Sequence, residues 1–161
     1  MKPAEKQSVY NNLRKMGLTD EEAKDVISAD KAIDKGEKLF ELTEEQKQRI
    51  REEYANFEAI QYAGKSKEER KTLGQFFTPA ELTIRMIEKF TNLEGTILDP
   101  TCGAGGLLAA VILAGADPTK CYGIELDPAI ANVAKERLGK LGLPSSNIKV
   151  GDALLEGSYD F

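Results

Sequence analysis

Asp99-Pro100-Thr101-Cys102-Gly103-Ala104-Gly105-Gly106 lies between a short apolar run, Thr96 to Leu98, and a longer one, Leu107 to Ala114. An acid at a strand end, a glycine-rich turn and then a helix is how a doubly wound α/β fold takes a nucleotide-like ligand. With no Cβ at positions 103, 105 and 106 the backbone turns tightly and comes close to what it contacts. Glu125 ends the next apolar run, 22 residues after Gly103, where an open α/β fold places a carboxylate for the hydroxyls of a ribose. Asp152, in Gly151-Asp152-Ala153, follows the third run. It is read either as an acceptor for the amino group of an adenine or as a solvated acid capping a turn. Asp127 is read as the cap of the helix that Pro128 opens.

Around this loop the pattern alternates as an α/β unit should. Helices are expected over 79–91, 106–114 and 128–141, and strands over 96–99, 120–125 and 147–150, with 159–161 as the start of another. Strand, helix, strand, helix, strand implies a parallel sheet with right-handed crossovers. The N-terminal part reads as helical instead. Val9, Tyr10, Leu13 and Met16 line one face of a helix from Ala4 to Met16, and Gly17 stops it. Thr19 with Glu22, and Thr43 with Gln46, have capping-box spacing. The second box opens a helix to about Ala63, with Ile50, Tyr54, Phe57 and Ile60 on one stripe. Such stripes are packing faces of a small bundle, or docking faces for another subunit. Residues 65–71 read as a charged connector. Four glycines fall in the first 74 residues and ten in the rest, so a boundary is placed at 71–74, giving domains 1–73 and 74–161.

Composition narrows the chemistry. The chain of 161 residues is 41% hydrophobic and 30% charged, the balance of a soluble globular protein. It has no apolar run of the roughly 18 residues that span a bilayer and no signal-peptide core, so no membrane association and a cytoplasmic location are expected. With no histidine and two cysteines, Cys102 and Cys121, neither zinc ligation, a disulfide framework nor an imidazole base is available. The net charge is −5, and residues 1–74 hold 15 basic against 16 acidic side chains. Neither part carries the dense basic face of a free-standing nucleic-acid binder, so weak intrinsic affinity for DNA is expected.

Gly74-Gln75-Phe76-Phe77-Thr78-Pro79, the Asp99–Gly106 loop, Gly123-Ile124-Glu125-Leu126-Asp127-Pro128 and Gly151-Asp152-Ala153 together resemble the successive cofactor motifs of adenine-specific DNA methyltransferases. The likeness is nearest to the modification subunit of type I restriction-modification systems and its single-chain relatives. It covers about Leu73 to Phe161 and suits a helical N-terminal domain. It implies a Rossmann-like S-adenosylmethionine-dependent methyltransferase fold, partial here and preceded by a small helical domain. Phe76, Phe77 and Thr78 would close over the methionine portion of the cofactor, and Asp99 would meet its ammonium group. The backbone of Thr101, Cys102, Gly103 and Gly105 would pass beside it. Glu125 would hold the ribose and Asp152 the adenine amino group, with Leu126 and Ala153 on the ring. Read alone, Phe76 and Phe77 are ordinary core aromatics and Cys102 a small buried thiol.

The family's catalytic Asn/Asp-Pro-Pro-Tyr/Phe motif, which holds a flipped adenine, would fall beyond Phe161. The resemblance therefore implies a chain that binds S-adenosylmethionine and is inactive alone. DNA would be reached through other regions or subunits, with a specificity or restriction subunit as partner in a restriction-modification or phage modification system. The first strand, left without the fourth beside it, would present an edge for self-association. Two other classes stay open. One is a dinucleotide-dependent oxidoreductase, against which stands Leu108 in place of a third spaced glycine. The other is a non-catalytic partner or scaffold protein of a methyltransferase complex.

Overall fold

The computed structural model describes residues 3–36, 38–74 and 77–155. Its contacts divide the chain into two compact units, Met1–Glu41 and Leu42–Phe161. In the first, α1 (Pro3–Lys15) packs on α2 (Asp20–Asp34). Thr19 and Glu22 form the expected reciprocal cap, with Glu22 N donating to Thr19 Oγ1 at 3.2 Å and Thr19 N to a Glu22 carboxylate oxygen at 2.6 Å. Val9, Tyr10 and Leu13 are half-buried, but Met16 lies past the end of α1 and is exposed.

The second unit begins with α3 (Glu44–Tyr62), whose capping box at Thr43 and Gln46 is complete. Ile50, Tyr54 and Phe57 are buried as the periodicity requires, whereas Ile60 is exposed. These residues face the sheet-bearing unit: α3 packs on α5 (Ala80–Ile87) and α6 (Gly106–Leu113). The Gln46 side-chain amide donates to Ala114 O at 3.1 Å, and the Tyr54 hydroxyl donates to Thr83 Oγ1 at 3.0 Å. The contacts thus part at 41/42, and α3 joins the part of the chain from which a boundary at 71–74 would separate it. The expected connector 65–71 is also helical. In α4 (Lys67–Gly74) Ser66 and Glu69 form a reciprocal cap that outweighs the charge density, with distances of 3.2 and 2.7 Å.

Three parallel strands, β1 (Ile97–Asp99), β2 (Cys121–Glu125) and β3 (Ile148–Val150), stand in the order β1-β2-β3. Asp99 pairs with Gly123 in register, and Glu125 with Val150. The crossovers are α6 and α7 (Pro128–Gly139). This is a partial Rossmann-like fold, helical with a small parallel sheet. Alternation is lost in α6 because it is buried between α3, α5 and β2; Leu108, Ala109, Ala110 and Val111 have no exposed surface. Among the described residues β1 has a strand neighbour on one side only. The expected strand at 159–161 lies outside the described residues. No helix among the described residues is long and apolar enough to cross a membrane.

Candidate functional site

The glycine loop is held at the C-terminal ends of β1 and β2 by its own backbone. Asp99, the last residue of β1, accepts from Thr101 N through Oδ1 at 3.1 Å, which turns the chain off the strand. Cys102 N then donates to Ile124 O at 2.9 Å, laying the loop across β2. Space for this comes from Gly123, where a Cβ would stand 2.8 Å from Cys102 Sγ and 2.9 Å from Ile148 Cδ1. Gly105 N closes the turn by donating to Cys102 O at 2.8 Å. Gly103 and Gly105 have φ of +52° and +82°, which disfavour any residue with a Cβ. The two differ in surroundings. A Cβ on Gly105 would lie 2.7 Å from Leu138 Cδ1, whereas one on Gly103 would meet no atom within 4 Å.

Glu125 is fixed by two amides. Gly103 N donates to Oε2 and Asp127 N to Oε1, each at 2.9 Å, so this carboxylate joins the loop to the turn after β2. Each oxygen keeps a further lone pair for a ligand hydroxyl. Asp127 caps α7 as expected, accepting from Ala129 N at 2.8 Å. Asp152 takes the turn-capping role: its Oδ1 accepts from Leu154 N at 2.9 Å. Gly151 N donates to Glu125 O at 3.0 Å, which brings the turn at Asp152 alongside the end of β2.

Beside the loop lies a cavity of about 130 Å³. Of the residues expected to meet a cofactor, Phe77, Thr78, Asp99, Thr101, Cys102 and Gly103 line it. Gly105, Glu125, Leu126, Asp152 and Ala153 do not; Leu126 is exposed. Phe76 lies outside the described residues. Phe77 meets Phe57 edge to face, with ring centroids 5.6 Å apart. Burial, opposed in part by the Thr101 amide and reinforced by the charge of Glu125, raises the pKa of Asp99 above the ordinary carboxyl range. Burial also pushes the Cys102 thiol up to about 12, with Asp99 and Glu125 adding to the shift, so this sulfur is a packing group and no thiolate nucleophile at neutral pH.

Beyond the glycine loop and the start of α6, four lining residues lie outside the expected set: Tyr54, Phe57 and Glu58 from α3, and Arg137 from α7. Tyr54 and Phe57 carried a signal, the apolar stripe, but it spoke only of packing. Nothing in the sequence singled out Arg137 among the charged residues of its helix. Arg137 is nonetheless buried, and its guanidinium stacks on Phe57 at 3.9 Å from the ring centroid. The wall opposite the glycine loop is therefore helical and aromatic.

The sequence model of a protein family described as N-6 DNA Methylase matches residues 60–157. The chain is 32% identical over 95 residues to the type II methyltransferase M.VspI of Vibrio sp. (strain 343), a match covering 54% of this chain and 23% of that protein. It is 36% identical over 78 residues to the type II methyltransferase M.CvrRI of Paramecium bursaria Chlorella virus XZ-6E, covering 44% and 19%. The matched part thus spans less than a quarter of the length of either curated relative. No solved structure matches the chain.

Proposed function

From the premise that the chain belongs to the N-6 DNA Methylase family, we propose that it is the cofactor-binding portion of an S-adenosylmethionine-dependent DNA methyltransferase acting on the exocyclic amino group of adenine. The observation that carries this is the placement of Asp99, Thr101 and Gly103 around one cavity, with Glu125 tied to the same loop through Gly103 N. The residues fit the cofactor. Gly103 lines the cavity where an added Cβ would meet no atom within 4 Å, leaving room for a ligand, and the polar side chains there from the loop are the Asp99 carboxylate, an acceptor, and the Thr101 hydroxyl. When bound, S-adenosylmethionine supplies a methyl group on a sulfonium, activated for in-line attack by a nitrogen.

What the chain's own residues contribute is positioning. Asp99 would accept from the ammonium of the methionine portion, and Phe77 and Thr78 would cover it. Glu125, already oriented by two amides, would take the ribose hydroxyls with no reorganisation of its own. Asp152 would meet the adenine amino group through the oxygen it does not use for its turn. Leu126 and Ala153, at the ends of the same two strands, would pack on the ring. The target base, the restriction-modification or phage setting and a specificity or restriction subunit belong to the same proposal.

The test is a calorimetric titration of S-adenosylmethionine into the chain, into Asp99→Ala and into Glu125→Ala, with NAD as a control. Saturable binding by the wild type, weakened in both variants, with NAD silent, is the expected result. Binding of NAD, or S-adenosylmethionine binding indifferent to both carboxylates, overturns the reading.

A further inference from the structure

We infer that Arg137 is a positioning residue for the glycine loop, fixing the peptide between Gly103 and Gly105 through its carbonyl. The inference rests on the reading of that loop as the cofactor site. Arg137 is 8% exposed and reaches three elements from α7. Its Nε and Nη2 donate to the two carboxylate oxygens of Glu53 on α3 at 2.6 and 2.7 Å. Its Nη1 donates to Ala104 O at 3.3 Å. Its plane lies over Phe57, with Tyr54 also within 5.0 Å.

Two facts assign this arrangement a role beyond stability. A buried ion pair is commonly no more stabilising than well-packed apolar residues of the same size, so the pair with Glu53 does not by itself explain the guanidinium. Ala104, moreover, is flanked by the two positive-φ glycines, the residues with the widest choice of backbone angles. The N–H of that peptide is already tied to Cys102 O at 2.8 Å, and the hydrogen bond from Nη1 holds its carbonyl end as well. A planar fork satisfies a carboxylate and a third acceptor at once, which the point charge of a lysine does not. Gly106 completes the fit, since a Cβ there would lie 3.0 Å from the Tyr54 hydroxyl and 3.5 Å from Nη1. Through Arg137 the aromatic face of α3 thus sets the loop with which it shares the cavity.

Two variants separate positioning from mere stability. Arg137→Met with Glu53→Leu removes both charges together and leaves none buried unpaired; Arg137→Lys keeps a cation for Glu53 but loses the fork. The measurements are hydrogen exchange at the Gly103 and Gly105 amides without ligand, the thermal midpoint, and calorimetric affinity for S-adenosylmethionine. Expected for both variants is cooperative unfolding with loop exchange and dissociation constant each raised about tenfold, the equivalent of about 1.4 kcal/mol. Unchanged loop exchange in Arg137→Lys, or a double variant that keeps wild-type loop exchange and affinity, overturns the inference. If the wild type itself does not bind S-adenosylmethionine, the proposed function fails, and the exchange contrast still decides whether Arg137 orders the loop.

Discussion

Gly103 and Gly105 share a sign of φ but differ in what surrounds them, and alanine at each position should separate the two costs. At either site a Cβ must adopt the left-handed region, at about 1–2 kcal/mol for an L-residue. Gly105 adds a collision: its Cβ would stand 2.7 Å from Leu138 Cδ1 and 3.0 Å from Cγ. Leu138 is fully buried and has no exposed side to move toward. Overpacking of this kind adds about 1–3 kcal/mol. Gly105→Ala should therefore lose about 2–5 kcal/mol, and Gly103→Ala only about 1–2 kcal/mol. Urea unfolding followed by circular dichroism reads both, through the midpoint at constant slope. A third variant isolates the collision: the cost of Gly105→Ala should shrink by about 1–3 kcal/mol when measured in a Leu138→Ala background. Ligand affinity should follow the opposite order per unit of stability lost, because the methyl of Gly103→Ala enters the space beside the cavity. Equal destabilisation by the two alanines, or no coupling to Leu138, would refute the packing argument.

The raised pKa of Asp99 has a consequence for stability in acid. A carboxyl that holds its proton more tightly when folded than when unfolded stabilises the fold below its unfolded pKa and loses that contribution as pH rises to its folded value. Asp99→Asn, which keeps an oxygen for Thr101 N, should raise the thermal midpoint at neutral pH while weakening S-adenosylmethionine binding. The gap to wild type should vanish when the pH falls below the unfolded value; a gap independent of pH would count against burial as its cause. The two thiols give a second check. Burial pushes Cys102 up to about 12 and Cys121 up to about 11. A disulfide reagent at pH 8 should therefore label neither in the native state and both in denaturant, and rapid native labelling of Cys102 would show an open loop.

Much of the second unit was legible because its signals are local. Caps at Thr43 and Asp127, the proline that opens α7 and the three apolar runs each bear on a few neighbouring residues, and each formed where the spacing puts it. Ser66 and Glu69 have the same spacing, yet their helix was hidden by the charge around it. What stayed illegible depends on distance in sequence. That Ile50, Tyr54 and Phe57 would be buried followed from periodicity, but that they would be buried against α5, α6 and Arg137 did not. The same holds for the glycines of the loop. Composition marks all of them as places where backbone comes close to something. Only the three-dimensional arrangement shows that Leu138 is the neighbour at 105 and Tyr54 at 106, while the space at 103 is open.

The charges around the cavity bear on which ligand the fold would take. Asp99 and Glu125 are close enough that the charge of Glu125 opposes ionisation of Asp99. Arg137, the cation among the lining residues, is committed on two of its nitrogens to Glu53. A dinucleotide would bring the negative pyrophosphate toward Asp99, with Glu125 near it, and among the described lining residues the one cation, Arg137, is already paired with Glu53. A ligand carrying an ammonium and a sulfonium does the reverse: its positive charge favours the ionised form of Asp99 and lowers the pKa that burial has raised. On the proposed function, the burial and the neighbouring charge of Glu125 that raise the pKa of Asp99 and the selection of a cationic cofactor would be one property.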